Sequence, residues 1–128
     1  MQQEQKVKGG IVVHSRTELY KFGVGAEVAT YTYVDGTYIG DIDGSAAETF
    51  VAVDHVDGSQ SHYGFGAFTG KVKGRSGTLT WKFRGKPGKG EIEILSGAGE
   101  LASLKGTVTY TIKEGSKTEF AYSGVLST

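Results

Sequence analysis

One glutamate, one histidine and a set of aromatic residues are the side chains in this sequence that could do chemistry together. Glu48 lies in "AAETF" and His62 opens "HYGFGAFTG". A carboxyl held against apolar walls keeps its proton to higher pH and can serve as a general acid or base. His62 would be its proton partner. Phe50, Phe68, Trp81 and Phe83 would wall the space, and Tyr110 would donate a hydrogen bond to a ligand carbonyl. Gly64 and Gly66 stand two apart in a strand-like stretch, where glycine weakens a strand and packs nothing. On one face they would leave room beside Glu48.

Whether these residues meet depends on the strands that carry them. Turn signals recur at "FGVGAE", "DIDGS", "VDGSQ", "KGRSG", "GKPGKG", "SGAGELASLKG" and "KEGSK". Between them, segments rich in Val, Ile, Thr, Tyr and Phe predict strands near 5–16, 27–42, 46–55, 60–71, 76–85, 89–96, 106–113 and 118–126. The stretch "GELASLKG" reads as a turn or a short 3₁₀ piece. Asp35-Gly36 between apolar runs is a hairpin signal; its rival is one long strand bent at Gly36. Eight antiparallel strands with short connections suit an all-β, up-and-down barrel in a single domain, which removes exposed edges. Such a barrel is filled by side chains or holds one small ligand.

Alternation assigns the faces. Leu79, Trp81 and Phe83 share one face against Thr78, Thr80, Lys82 and Arg84. Val108, Tyr110 and Ile112 oppose Thr107, Thr109 and Thr111. Residues 46–55 and 60–71 are instead apolar on both faces and need cover on both sides. A partner subunit would cover the outside, so a homo-oligomer is expected; the alternative is a loop or the N-terminal arm folded over it.

The register decides which residues adjoin Glu48. "VDG" at 56–58 suits a three-residue hairpin loop, which pairs Glu48 with Gly66, Phe50 with Gly64 and Ala52 with His62. A slip of one residue would turn every side chain to the other face. The alternatives are a Glu48 exposed at a strand end or bonded to a tyrosine, glycines that serve a barrel corner, and Trp81 as core.

Composition narrows the function classes. The chain has 128 residues, with 14 basic and 14 acidic side chains and no formal net charge. A nucleic-acid or anionic-membrane binder would carry a basic excess. The absence of cysteine removes disulfides, Cys-type zinc sites and thiol catalysis. "MQQEQKVKGG" has no apolar signal core, and no apolar run approaches the ~20 residues of a membrane span, so a soluble cytoplasmic protein is expected. Glycine occurs 21 times and proline once, which with the many aromatics indicates tight turns and bent strands.

Other motifs carry little. "GFGAFTG" lacks the βαβ setting of a dinucleotide site, and "RGKPGKG" lacks the Lys-Ser/Thr pair of a phosphate loop. "DIDG" lacks the remaining calcium ligands. His14, His55 and His62 show no metal spacing, although His55 and His62 would lie near one another across a hairpin. No nucleophile elbow is present for a Ser-His-Asp triad. Neither a metal nor a cofactor is expected.

"FTGKVKGRSGTLTWKFRG" followed by "SGAGELASLKGTVTY" resembles a bacterial domain family of unknown function, whose members carry "FTG…GGRSGSF" and "GSGELAGLRGEGTY". The similarity runs over about residues 6–126. That family is placed with the allene-oxide-cyclase-like barrels, so the resemblance implies eight strands and a distant relation to allene oxide cyclase and the dirigent proteins. "TYIGDIDGSAAETF" aligns with "TFSGDLEGESTAEY" without a break, which favours a single bent strand at Gly36. Glu48 matches the glutamate of "AEY". Gly66 stands where relatives have a second glutamate, and Phe83 where they have a histidine. The resemblance thus implies a more apolar interior, suited to a bulkier apolar ligand.

The function expected is a cofactor-free barrel binding an apolar small molecule. If catalytic, it would be a cyclase or isomerase of a polyketide-, terpenoid- or lipid-derived intermediate, with Glu48 as acid or base. A barrel of that kind would fold a flexible molecule into a reactive conformer and exclude water. The alternatives are a lipocalin-like carrier and a filled barrel serving as an oligomeric scaffold.

Overall fold

The computed structural model describes residues 3–128, the side chain of Val24 excepted. Met1 and Gln2 of the polar N-terminal stretch lie outside the described residues. The strands are β1 (Glu4–Val24), β2 (Glu27–Gly40), β3 (Ile42–Asp54), β4 (Gln60–Val72), β5 (Arg75–Lys86), β6 (Lys89–Gly99), β7 (Lys105–Ile112) and β8 (Glu119–Ser127). They form one closed barrel in chain order, each antiparallel to the next, with β8 closing on β1. Among the described residues no helix is long and apolar enough to cross a membrane.

The expected elements are present, with three boundary differences. β1 runs to Val24 rather than to Arg16. Two register shifts against β2, at His14 and at Leu19, break its alternation and hide its second half from a period-two reading. The turn expected over 41–45 narrows to Asp41, because residues from Ile42 onward pair with β4. β6 reaches Gly99, and the "GELASLKG" segment then makes turns.

Asp35 and Gly36 form no hairpin. They lie inside β2, paired with Ser15 and Val13 across the first β1 bulge. A Cβ on Gly36 would stand 2.8 Å from the Val12 carbonyl oxygen, so glycine admits the close backbone approach there.

One end of the barrel is packed solid. Leu101 and Leu104, from the β6–β7 connection, turn inward with Phe68, Val72, Leu79 and Leu126. Above them Tyr38, Phe68 and Trp81 pack ring on ring, with Phe68–Trp81 centroids 5.5 Å apart and Tyr38–Trp81 centroids 5.2 Å apart. The Tyr122 hydroxyl accepts the Ile42 N–H at 2.7 Å and faces the Ile39 carbonyl at 3.0 Å, tying β8 to the β2–β3 turn across the barrel end.

The outer face of β1–β4 carries exposed aromatics. Cross-strand pairing lines up Tyr20, Tyr31, Val51 and Tyr63 in one row. Tyr63 and Phe65 are 59% and 63% exposed, so no described loop or N-terminal residue covers them.

Candidate functional site

Register and pleat place the candidate residues. β3 and β4 pair Glu48 with Gly66, Phe50 with Gly64 and Ala52 with His62, as the short 56–58 loop requires. β5 adds Trp81 opposite Gly66 and Phe83 opposite Gly64. All of these face inward. Opposite the packed end, the barrel opens into a cavity of about 520 Å³. Its walls include Phe50, Phe83, Ile92 and Phe120, and its polar groups include Glu48, His62, Tyr38 and Tyr110.

Two separate hydrogen-bonded pairs stand inside. The Trp81 indole N–H donates to Glu48 Oε2 at 3.0 Å. The Tyr110 hydroxyl and His62 Nε2 share a bond of 2.6 Å. No hydrogen bond joins Glu48 to His62 among the described residues, so His62 is not placed as a direct proton partner of the carboxyl. Glu48 Oε1 and the Tyr38 hydroxyl have no partner among the described residues. Both residues line the cavity.

The surroundings bias the protonation states. Burial pushes the Glu48 carboxyl from 4.5 up to about 7, and the Trp81 N–H moderates the rise. Burial lowers the His62 pKa, and the Arg16 charge lowers it further, which favours a neutral ring. Tyr110 and Tyr38 are raised by burial and by Glu48, so both stay phenols. At neutral pH the carboxyl of Glu48 is therefore near its midpoint, while His62, Tyr38 and Tyr110 are neutral.

The glycines serve a different end from an open gap. Neither Gly64 nor Gly66 has a left-handed backbone, but a Cβ on Gly64 would run into the Thr49 carbonyl oxygen, so glycine there also admits a close backbone approach. A Cβ on Gly66 would meet the Trp81 indole and Glu48 Cγ, and one on Gly64 would meet Phe50 Cβ and the Phe83 ring. At Gly66 the missing volume is filled by the indole, which is thereby seated against the carboxylate. Phe68 and Trp81 belong to the packed half, at 1% exposure each. Phe50, His62, Phe83, Tyr110 and Glu48 line the cavity.

Sequence reasoning missed Tyr38, Arg16 and Lys117, which also line it. Arg16 faces inward because the bulge at His14 shifts β1 by one residue, pairing Arg16 with the inward Val34. Lys117 comes from the β7–β8 loop at the open end. Only the inward parity of Tyr38 in "GTYIG" was readable beforehand.

His55 and His62 lie on opposite sides of the sheet. His55 bonds Glu27 Oε2 and Ser61 Oγ, each at 2.8 Å, on the outer face. Glu27 Oε2 also accepts the Val56 N–H, so the network clips the β3–β4 loop to the start of β2. Among the described residues no three His, Cys, Asp or Glu side chains converge as metal ligands.

Fold and site together define a closed antiparallel eight-stranded barrel with one filled half and one open, mixed-polarity cavity. The chain belongs to the family described as Protein of unknown function (DUF3224), whose profile matches residues 5–123. It is similar to the crystal structure of a protein of unknown function from that family in Shewanella oneidensis MR-1, at 25% identity, with 97% of each chain covered and a TM-score of 0.82. No curated protein matches the chain.

Proposed function

We propose that the open half of the barrel binds an apolar small molecule carrying one hydrogen-bonding group. The observation that carries this reading is the cavity of about 520 Å³, lined mainly by apolar side chains with Glu48, His62, Tyr38 and Tyr110 among them. Pockets of about 300–1,000 Å³ with a few convergent polar groups are the usual form of small-molecule sites. A filled scaffold would need the upper half closed as the lower half is.

Nile red, a neutral apolar dye, tests the reading. Uptake with a blue-shifted emission is expected. Ile112→Trp, which places an indole in the cavity, should weaken uptake about tenfold while the fold persists by circular dichroism. No uptake by the parent protein, or uptake indifferent to Ile112→Trp, would remove the proposal.

A catalytic form of the same reading is favoured by the burial of Glu48 in the cavity wall, which pushes its carboxyl up to about 7. A group with both protonation states populated near neutral pH suits proton transfer. In keeping with the resemblance to allene-oxide-cyclase-like barrels, the reaction would be a cofactor-free cyclisation or isomerisation in the cytoplasm. Product formation lost in Glu48→Gln with binding retained would separate an enzyme from a carrier.

We also propose that a second copy of the chain covers the outer aromatic face. The support is the unbroken row of Tyr20, Tyr31, Val51 and Tyr63, with Phe65 beside it at 63% exposure. Sedimentation should show an oligomer that Phe65→Glu shifts toward monomer; a parent protein already monomeric at high concentration would exclude this.

A further inference from the structure

The cavity mouth has a charge pattern that a neutral ligand does not use. Arg16 and Lys117 both line the cavity, and both side chains are exposed at its open end. They arrive from unrelated places, one through the β1 bulge and the other from the β7–β8 loop. Five ion pairs occur among the described residues, and neither Arg16 nor Lys117 takes part in one. Neither donates a side-chain hydrogen bond to the protein among those residues. Among the described residues the only carboxyl lining the cavity is Glu48, largely buried and hydrogen-bonded to Trp81. Polarity is thus divided: two unpaired cations exposed at the mouth, apolar walls, and Glu48 with His62, Tyr38 and Tyr110 within.

We infer that the cavity takes an amphipathic acid, whose apolar body lies in the barrel and whose carboxylate stays at the mouth between Arg16 and Lys117. This rests on the small-molecule reading above and names its ligand class. The orientation follows from desolvation. A carboxylate driven inward would lose its hydration beside Glu48, a like charge whenever that group is ionised. At the mouth it keeps water and gains two opposite charges. A guanidinium can hold it by two parallel hydrogen bonds, while the lysine acts as a point charge. The rim is solvated, so the gain is modest and sensitive to salt.

Displacement of Nile red by dodecanoic acid and by dodecanol provides the test, since the two share a body and differ in the head group. In low salt the acid should bind about tenfold more tightly than the alcohol, and added salt should shrink the ratio. In Arg16→Gln/Lys117→Gln the ratio should fall close to one, whereas Arg16→Lys/Lys117→Arg should keep most of it. Because the alcohol serves as reference within each protein, a general loss of packing does not imitate the effect. Equal displacement by acid and alcohol in the parent protein would overturn the acid assignment and leave the cavity reading standing. An acid preference that survives neutralisation of both cations would overturn it as well. Failure of the parent protein to take up Nile red or either competitor would overturn both readings.

Discussion

Glu48→Gln should make the protein more stable above about pH 7 by about 3 kcal/mol, and leave it nearly unchanged below about pH 4.5. The carboxyl titrates at about 7 in the fold against an ordinary 4.5. Each factor of ten in proton affinity is worth about 1.4 kcal/mol, which sets the size of the effect. The sign follows from proton counts. Between these two pH values the folded chain still holds a proton that the unfolded chain has released. Stability therefore falls as pH rises through that window and levels off above it. Glutamine resembles the protonated acid, and its amide oxygen can still accept the Trp81 N–H now found 3.0 Å from Glu48 Oε2. All other titrating groups are common to both proteins, so the difference isolates this carboxyl. Urea denaturation of parent and variant across the pH range measures it. Curves that stay parallel would show that Glu48 ionises without penalty, and the proton-transfer reading would lose its support.

Gly66→Ala should destabilise the fold by about 3 kcal/mol, at the upper end of what one added methyl does in a packed core. The new Cβ would lie 2.8 Å from Glu48 Cγ and 2.9 Å from Trp81 Cδ1. Trp81 has nowhere to retreat, because Tyr38 and Phe68 pack against it at 5.2 and 5.5 Å between ring centres. Trp81→Phe on its own also weakens the fold, by removing ring volume and the donor to Glu48. In the double variant the alanine occupies part of the vacated space. The combined loss should be smaller than the sum by about 1–2 kcal/mol. Strictly additive losses would mean that Gly66 is needed for its backbone rather than for the indole above it.

The legible part of this protein is what short-range rules govern. The loop at 56–58 is short enough to dictate one register, and the pairing of Glu48 with Gly66 follows from it. Clean alternation in β5 and β7 put Trp81, Phe83 and Tyr110 inside. The misread parts are those where a local rule is interrupted. One extra residue at His14 reverses which side chains of β1 face inward, so Arg16 looked like the end of a strand and is instead part of the cavity wall. Gly64 and Gly66 read as missing volume, and strand pairing does not say whether a neighbouring ring moves in.

From the sequence alone come the eight strands, their antiparallel order, the inner faces of β3, β4, β5 and β7, and a lone carboxyl beside a glycine. Each depends on residues close in the chain, through turn chemistry and the two-residue period of a strand. Tertiary structure alone decides which half of the barrel is full. Leu101 and Leu104 plug one end from a connection, Trp81 fills the space over Gly66, and the other end is left open between β1 and the β7–β8 loop. A cavity is the volume that remains once every side chain around a closed ring has packed, so no single segment encodes it.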